Sequence, residues 1–332
     1  MSAHLSMHAA VLENHGEAFR LAIVARPVPQ AGQVLVKIMA SAVNPLDLKI
    51  RSGDAAHARH PLPAILGIDM AGIVESVGPG VTAFRTGDEV YGMTGGVGGV
   101  QGSLAEYAAV DAALLAHKPS NFSMREAAAV PLAFITAWEG LVDRVHLHAG
   151  QTVLVQGAGG VGHMAIQIAR ALGATVFATD SAAKAPFIAR LGATPIDYRT
   201  ATVEEYVAEH TAGRGFEVVY DTAGGASLDA SFKAAARFGH VVSALGWGTH
   251  ALAPLSFRAG TYSGVFTLLP LLTGEGRAHH GEIMRHAAEM AESGQLIPQV
   301  DDRHFDLASV GEAHLLLGQR EARGKLVVDI NG

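Results

Sequence analysis

The chain has 332 residues, of which 49% are apolar and 17% charged, with a net charge of −7. This length suits two domains and this composition excludes a disordered chain, while the acidic balance argues against a nucleic-acid partner. The chain contains no cysteine, which excludes disulfides and thiolate zinc sites. No apolar run approaches the roughly 20 residues of a membrane span, and no signal-peptide pattern is evident. We therefore expect a cytoplasmic protein that binds neither nucleic acid nor membrane.

Short β-branched runs separated by turn residues fill the first 120 residues. Strands are predicted at 9–13, 33–43, 72–78, 88–93 and 104–110. Their spacing predicts an antiparallel barrel or sandwich-like domain.

The pattern changes near residue 120. Ser123, with Glu126 three residues later, predicts the start of a helix through a capping box. Strands and helices then alternate, with a helix over 227–239 and the strands as continuous apolar runs, which predicts a doubly wound α/β domain with a mostly parallel sheet. A last strand, KLVVDI, follows two more helices and is expected to return to the first domain.

The strongest motif is the glycine-rich stretch GAGGVG, placed between a buried strand and an apolar helix. It predicts a dinucleotide site, because its glycines permit a tight turn and close approach of a pyrophosphate to the helix N-terminus. The alternative is an ordinary strand-to-helix turn. The predicted cofactor contacts are Gly157, Ala158, Gly159, Gly160, Val161 and Gly162. A second glycine-rich run, TGGVGGVQGS (94–103), is not followed by a helical pattern, and we interpret it as a mobile loop near a site.

Asp180 and Lys184, at and just after the end of the next strand, bear on which dinucleotide binds. Asp180 ends that strand and predicts NADH, because a carboxylate there accepts from ribose hydroxyls and repels a 2′-phosphate. Lys184 favours the opposite, since a lysine pairs with a phosphate. NADH is slightly favoured over NADPH.

The order of these parts resembles the medium-chain dehydrogenase/reductase superfamily, in its zinc-free quinone oxidoreductase-like branch. The resemblance implies a GroES-like β-rich catalytic domain (1–124 and 272–332), a Rossmann domain (125–271) and a homodimer. The stretches that carry it are ASAVNPLDLKIRSG (40–53), PAILGIDMAGIVESVGPGVTAFRTGDEVYG (63–92), AAAVPLAFITAWEGL (127–141), GAGGVG (157–162) and RGKLVVDI (323–330).

The resemblance also bears on metal binding. In the zinc-dependent members, three residues ligate the catalytic metal, and their positions correspond to Asn44, Ile68 and Leu132 here. An amide and two aliphatic chains are poor zinc ligands, so no metal is expected. Asp47 and Asp69 are expected to have structural roles, with Asp69 accepting backbone N–H bonds or pairing with a base such as Arg51.

The remaining site residues are implied by the resemblance. Asn44 is predicted to orient substrate or nicotinamide, although it also fits a helix N-cap, and Thr136 is predicted to lie near the nicotinamide, although it also fits a helix-interior threonine. Further cofactor contacts are predicted at Tyr198, Phe266, Thr267 and Lys325, although Tyr198 also fits an edge-strand tyrosine and Lys325 equally fits a solvated lysine at a strand start. Gly246 and Trp247 are predicted contacts because they end a strand of the nucleotide fold, where ligands bind in such sheets.

These residues predict an NAD(P)H-dependent, zinc-independent oxidoreductase that transfers hydride to quinones or activated α,β-unsaturated carbonyls. Without a Lewis acid, such acceptors remain feasible because the incoming charge is delocalised onto oxygen. The alternatives are an enoyl-type double-bond reductase and a low-turnover nucleotide-binding protein that acts structurally or as a sensor.

Overall fold

The computed structural model describes residues 5–331, which fall into two units. Unit 1 comprises the chain up to Leu132 and again from Leu268, and unit 2 comprises Ala133–Thr267. No helix in the described range is both long and apolar enough to cross a bilayer.

The first part of unit 1 is built from antiparallel strands. One sheet has the order β2-β1-β4, and a second joins β3, β5, β6 and β8, with β7 also paired to β3. Alternate residues of β3, including Val34, Val36 and Ile38, pack with Val74 and Val90 in one core cluster. The elements are β1 (Ser6–Leu12), β2 (Arg20–Ala25), β3 (Gln33–Ala42), α1 (Pro45–Ser52), β4 (Ala64–Ile65), β5 (Asp69–Val77), β6 (Glu89–Met93), β7 (Tyr107–Asp111), β8 (Leu115–His117) and α2 (Met124–Ala128).

Unit 2 is a parallel sheet with connecting helices. Its six strands have the order β11-β10-β9-β12-β13-β14, so their carboxyl ends share one edge. The elements are α3 (Pro131–Trp138), a π-helical turn (Glu139–Arg144), β9 (Thr152–Gln156), α4 (Gly160–Ala171), β10 (Thr175–Asp180), α5 (Ala185–Arg190), β11 (Thr194–Asp197), α6 (Val203–Thr211), β12 (Phe216–Asp221), α7 (Ala226–Ala234), β13 (Ala235–Ser243), α8 (Ala253–Ser256) and β14 (Thr261–Gly264).

The chain then returns to unit 1 through α9 (Leu269–Thr273), α10 (Arg277–Glu292), α11 (Val310–Gly318) and β15 (Val327–Asp329). β15 pairs antiparallel with the end of β3, where Val327 lies opposite Ala42. The predicted return of the last strand is therefore confirmed.

The unit boundaries lie at 132/133 and 267/268, whereas the sequence places the domain boundaries at 124/125 and 271/272. The first difference has a clear cause. α2 begins at the predicted capping box of Ser123 and Glu126, but it packs on β3 and β5 of unit 1.

One predicted helix is too long. The alanine-rich run 227–239 was expected to be helical throughout, but α7 ends at Ala234 and β13 starts at Ala235. Ala235 pairs with Phe216 of β12, and Phe238 has a φ of +61°, which no right-handed helix accommodates. Strand pairing therefore prevails over local helix propensity here.

Candidate active site

The glycine-rich turn lies between β9 and α4, at the carboxyl edge of the parallel sheet. Gly157 has a φ of +89°, and a Cβ on Gly162 would lie 1.8 Å from the Gly157 carbonyl oxygen. Both positions therefore require glycine for the turn itself. In contrast, a Cβ on Gly159 or Gly160 would meet no protein atom within 4 Å. The turn thus leaves open space beside the start of α4, where first-turn N–H groups have no intrahelical partner.

The Asp180 carboxylate stabilises the glycine-rich turn through a hydrogen bond. Its Oδ2 accepts a hydrogen bond from the Ala158 N–H at 3.0 Å, and its Oδ1 accepts one from the Ser181 N–H at 2.7 Å. Lys184 follows closely, with its Nζ 5.3 Å from the centroid of the Phe187 ring. An open cradle beside a helix N-terminus, with a carboxylate at the next strand end, fits the pyrophosphate and ribose of a dinucleotide.

The other predicted cofactor contacts of unit 2 lie at the ends of neighbouring strands. Tyr198 follows β11, is 56% exposed and carries the Arg199 guanidinium 5.9 Å from its ring centroid. Gly246 and Trp247 follow β13, and the Trp247 ring meets Phe266 edge-on at 6.1 Å. The parallel order places all of these residues along the edge that carries the glycine-rich turn.

Thr136 and Thr267 form a separate buried contact within unit 2. Their hydroxyl oxygens are 3.3 Å apart, and the Tyr220 hydroxyl donates to the Thr136 carbonyl at 2.5 Å. The structure therefore brings together two predicted residues that are 131 positions apart in the chain.

In unit 1, Asn44 is part of a buried polar cluster. Its Nδ2 donates to Asp69 Oδ2 at 2.9 Å, and Asp69 Oδ1 accepts from the Leu132 N–H at 2.8 Å. The Lys325 ammonium donates to Asn44 Oδ1 and lies 3.5 Å from Asp69 Oδ2. Asn44 also precedes α1, and its N–H donates to Asp47 at 2.8 Å. We call Asn44, Asp47, Asp69 and Lys325 the Asn44 cluster.

The base beside Asp69 is Lys325, so the expected pairing of Asp69 with a base is confirmed. Arg51, the example given, instead donates from its Nε to the Glu17 carbonyl at 2.9 Å. The Lys325 ammonium contacts Asn44 and Asp69, and 8% of its side chain is exposed; its contact with the cofactor stays a prediction. The contact of Asp69 with a backbone N–H is confirmed through Leu132.

Burial controls the ionisation of the two acids. Loss of solvent raises the pKa of Asp69, and the Lys325 charge and the Asn44 hydrogen bond offset part of that effect. Burial raises the pKa of Asp47 to about 7, with the neighbouring Asp69 charge adding to the shift. Its Oδ1 is buried and has no hydrogen-bond partner among residues 5–331.

The raised pKa of Asp47 predicts a pH effect on stability. Folded Asp47 holds a proton up to about pH 7, whereas the unfolded chain releases it near the ordinary value of 3.8. The free energy of unfolding should therefore fall as pH rises through this window, by up to about 1.4 kcal/mol per pH unit. Urea unfolding of Asp47→Asn should show a shallower decline between these values than the wild type. An identical slope in both proteins would contradict the assignment.

The side chains at the three zinc-ligand positions do not fit a metal. Ile68 is a fully buried hydrocarbon, and Leu132 offers the cluster only its backbone N–H. The third, Asn44, has its amide oxygen facing the Lys325 ammonium, whose charge opposes a second cation. Across residues 5–331, no group of three or more His, Cys, Asp or Glu side chains is arranged to hold a metal ion.

The second glycine-rich run differs from its interpretation as a mobile loop. Residues 94–97 are buried, and the Thr94 and Ser103 N–H groups donate to the Ile68 and Gly67 carbonyls at 2.8 and 3.0 Å. A Cβ on Gly102 would lie 2.2 Å from the Leu66 carbonyl oxygen. Its glycines thus allow two backbone segments to pack closely.

The sequence reasoning missed Asp221, a buried acid at the end of β12. It accepts from the Ser243 hydroxyl at 2.7 Å and from the Gly224 N–H at 3.0 Å, and so ties together the ends of β12 and β13. The available signal was an acid that ends a continuous apolar strand, FEVVYD.

Comparison with known proteins agrees with this geometry. Residues 30–120 match the alcohol dehydrogenase GroES-like domain, and residues 191–328 match the zinc-binding dehydrogenase family. The 2-methylene-furan-3-one reductase of Solanum lycopersicum is 37% identical over 314 residues, which are 92% of this chain and 74% of the relative. The NADPH-dependent alkenal/one oxidoreductase, chloroplastic, of Arabidopsis thaliana is 37% identical over 311 residues, covering 91% and 73%.

Among solved structures, an alcohol dehydrogenase superfamily protein from Novosphingobium aromaticivorans is 57% identical, with a TM-score of 0.96 over 98% of this chain and all of that one. These matches extend over both units and confirm the predicted pairing of a GroES-like domain with a Rossmann domain. The chain is therefore an oxidoreductase of the medium-chain dehydrogenase/reductase superfamily.

Proposed function

We propose that the protein reduces the C=C bond of small α,β-unsaturated carbonyls with a nicotinamide dinucleotide. The observation that carries this proposal is the Asn44 cluster, in which the Asn44 amide, an N–H donor, stands at one of the three positions that hold metal ligands in the zinc-dependent members. A hydride that adds to the β-carbon of an enone places its charge on the carbonyl oxygen, where N–H donors stabilise it, and a proton from solvent at the α-carbon then gives the saturated ketone. The names of the tomato and Arabidopsis relatives agree with this substrate class.

Each residue has a specific part in the proposed reaction. The turn from Gly157 to Gly162 binds the pyrophosphate and fixes the dinucleotide, which supplies the hydride when bound. Asp69 accepts from one of the two amide N–H groups of Asn44, so we assign the other to the substrate oxygen. Lys325 orients that amide by donating to its oxygen. Quinones are a second acceptor class, because they delocalise the incoming charge in the same way.

The test is oxidation of NADH and NADPH in the presence of but-3-en-2-one, with butan-2-one as the matched saturated ketone. Turnover with the enone alone, and butan-2-one as its product, is expected. A quinone panel is measured in parallel. Reduction of the saturated ketone would contradict the proposal, and tight nucleotide binding without turnover on any acceptor would favour the structural or sensor alternative.

For the cofactor we propose a preference for NADH, which Asp180 supports through its negative charge at the end of β10. Asp180→Asn keeps an oxygen for the Ala158 N–H but removes that charge, so it should raise kcat/KM for NADPH about tenfold relative to NADH. Lys184→Gln is the opposite control and should lower the NADPH value. A wild-type protein that strongly prefers NADPH would refute the role of Asp180.

The homodimer and the cytoplasmic location remain predictions. Light scattering coupled to gel filtration measures the first directly, and a monomer at micromolar concentration would contradict it.

A further inference from the structure

A cavity of about 530 Å³ lies in unit 1, near the C-terminal end of α1. Its volume is within the range of small-molecule sites. The apolar part of its wall is formed by Ile50, Ala55, Ala56 and Pro61, and the polar part by His15, Arg59 and His60. None of these residues belongs to the Asn44 cluster.

The cavity lies in a locally basic segment of an acidic protein. Residues 49–60 contain three cations, Lys49, Arg51 and Arg59, against one acid, Asp54. Asp54 accepts a hydrogen bond from the Ser52 hydroxyl at 2.7 Å. Arg59 lines the cavity, is exposed, and has no salt-bridge partner among residues 5–331. An anion would be attracted to this wall.

His60 adds a donor to the same wall. The Gly99 N–H donates to His60 Nδ1 at 3.2 Å, which assigns the proton of the neutral ring to Nε2. Burial lowers the pKa of His60 and favours this neutral form, an effect that the Ile65 carbonyl partly offsets. Nε2 is buried, and although the Ile65 carbonyl acts on this ring, no hydrogen bond of normal distance and angle reaches Nε2 among residues 5–331. An unpaired buried N–H costs free energy that an oxygen ligand would recover.

His15 fits the same interpretation. Its Nδ1 contacts the Ile50 carbonyl at 3.0 Å, and because a carbonyl only accepts, Nδ1 carries a proton. This contact holds the imidazole at the cavity wall and is a second hydrogen bond to a carbonyl that also accepts from the Gly53 N–H at 3.2 Å.

We propose that this cavity binds a small organic carboxylate, with its oxygens on Arg59 and His60 and its hydrocarbon part against Ile50 and the two alanines. The combination of one cation, one neutral N–H donor and an apolar wall suits an acid with an alkyl body better than inorganic phosphate. The proposal is independent of the proposed function, because it concerns binding to unit 1 and not turnover.

The test is isothermal titration of the full chain with hexanoate, hexan-1-ol and inorganic phosphate as probes. Hexanoate should bind and hexan-1-ol should not. Arg59→Gln should weaken hexanoate about tenfold, the size of one charge-assisted hydrogen bond, and Arg59→Lys should recover part of the loss. The matched control is Arg85→Gln, another arginine of unit 1 whose side chain is 90% exposed, and it should leave the affinity unchanged.

A second variant tests the apolar wall without removing charge. Ala56→Phe should fill part of the cavity and weaken hexanoate, and as Ala56 is exposed, folding should be retained. Equal affinities for hexanoate in the wild type, Arg59→Gln and Ala56→Phe would overturn the proposal, as would binding of phosphate without hexanoate.

Discussion

Replacing Gly162 by alanine is expected to abolish nucleotide binding and to destabilise unit 2. The added Cβ would lie 1.8 Å from the Gly157 carbonyl oxygen and 2.8 Å from the carbonyl carbon. Both are backbone atoms, so no side-chain rotation relieves the contact, and the turn between β9 and α4 must open. Opening it moves the N–H groups at the start of α4 away from the positions that a pyrophosphate needs.

The measurement is fluorescence titration with NADH and NADPH, together with urea unfolding. We expect the dissociation constants to rise at least 100-fold and the free energy of unfolding to fall by about 2–3 kcal/mol, as for other overpacked sites. Gly311→Ala is the control for the substitution itself, because a Cβ at that helical position meets no atom within 4 Å. It should leave nucleotide binding intact. Wild-type affinity in Gly162→Ala would refute the role assigned to the turn.

A second glycine variant separates ligand approach from folding. The Cβ added in Gly159→Ala would meet no protein atom within 4 Å, so the variant should retain the wild-type free energy of unfolding. Its nucleotide affinity should nevertheless fall, because the Cβ occupies the space assigned to the pyrophosphate. Loss of stability in this variant would mean that the open space is not a ligand cradle.

Replacing Asp69 by asparagine should be the most destabilising single change in the Asn44 cluster. It removes the only carboxylate within 4 Å of the Lys325 ammonium in the described residues, and it changes the acceptor of the Asn44 amide and the Leu132 N–H. Breaking a buried ion pair by removing one partner costs about 3–5 kcal/mol, because the other charge is left unpaired. Urea unfolding measures this loss.

A double-mutant cycle separates the ion pair from the general effect of burial. Lys325→Met alone leaves the Asp69 charge unpaired, while Asp69→Asn with Lys325→Met removes both charges. We expect the double variant to be more stable than the sum of the single losses predicts, by about 1–3 kcal/mol. Additive losses would show that the two groups do not interact. Enone turnover should be low in all three variants, because each disturbs the orientation of Asn44.

The sequence was sufficient for features that depend on local patterns. The strand, glycine-rich turn and helix around Gly157 predict the nucleotide fold, because each part has a short-range physical requirement. The capping box at Ser123 is confirmed for the same reason. In the 227–239 run, local propensity misled the prediction, since pairing with β12 decides the conformation of Ala235.

Features that depend on distant partners could not be predicted. Lys325 is 281 positions from Asn44, and no spacing rule connects them. Arg51 is close in sequence to Asp69 and was the plausible cation, yet it reaches the Glu17 carbonyl instead. The two glycine-rich runs also have similar sequences. The structure distinguishes them: a Cβ on Gly159 or Gly160 would meet open space, whereas a Cβ on Gly102 would meet the backbone of a neighbouring segment.

The return of the chain through β15 has a consequence for folding during synthesis. All six parallel strands come from one continuous stretch, Thr152–Gly264, so unit 2 can assemble as soon as that stretch leaves the ribosome. β3 and α1, by contrast, are synthesised early. Their contacts with β15 and Lys325 can form only after almost 300 further residues have been synthesised. Until then Asp69 lacks its cation, and the edge of β3 that β15 covers has unpaired backbone groups. Chaperone dependence and premature aggregation should therefore originate in unit 1, whose first strands are synthesised before unit 2 and whose last strand is synthesised after it.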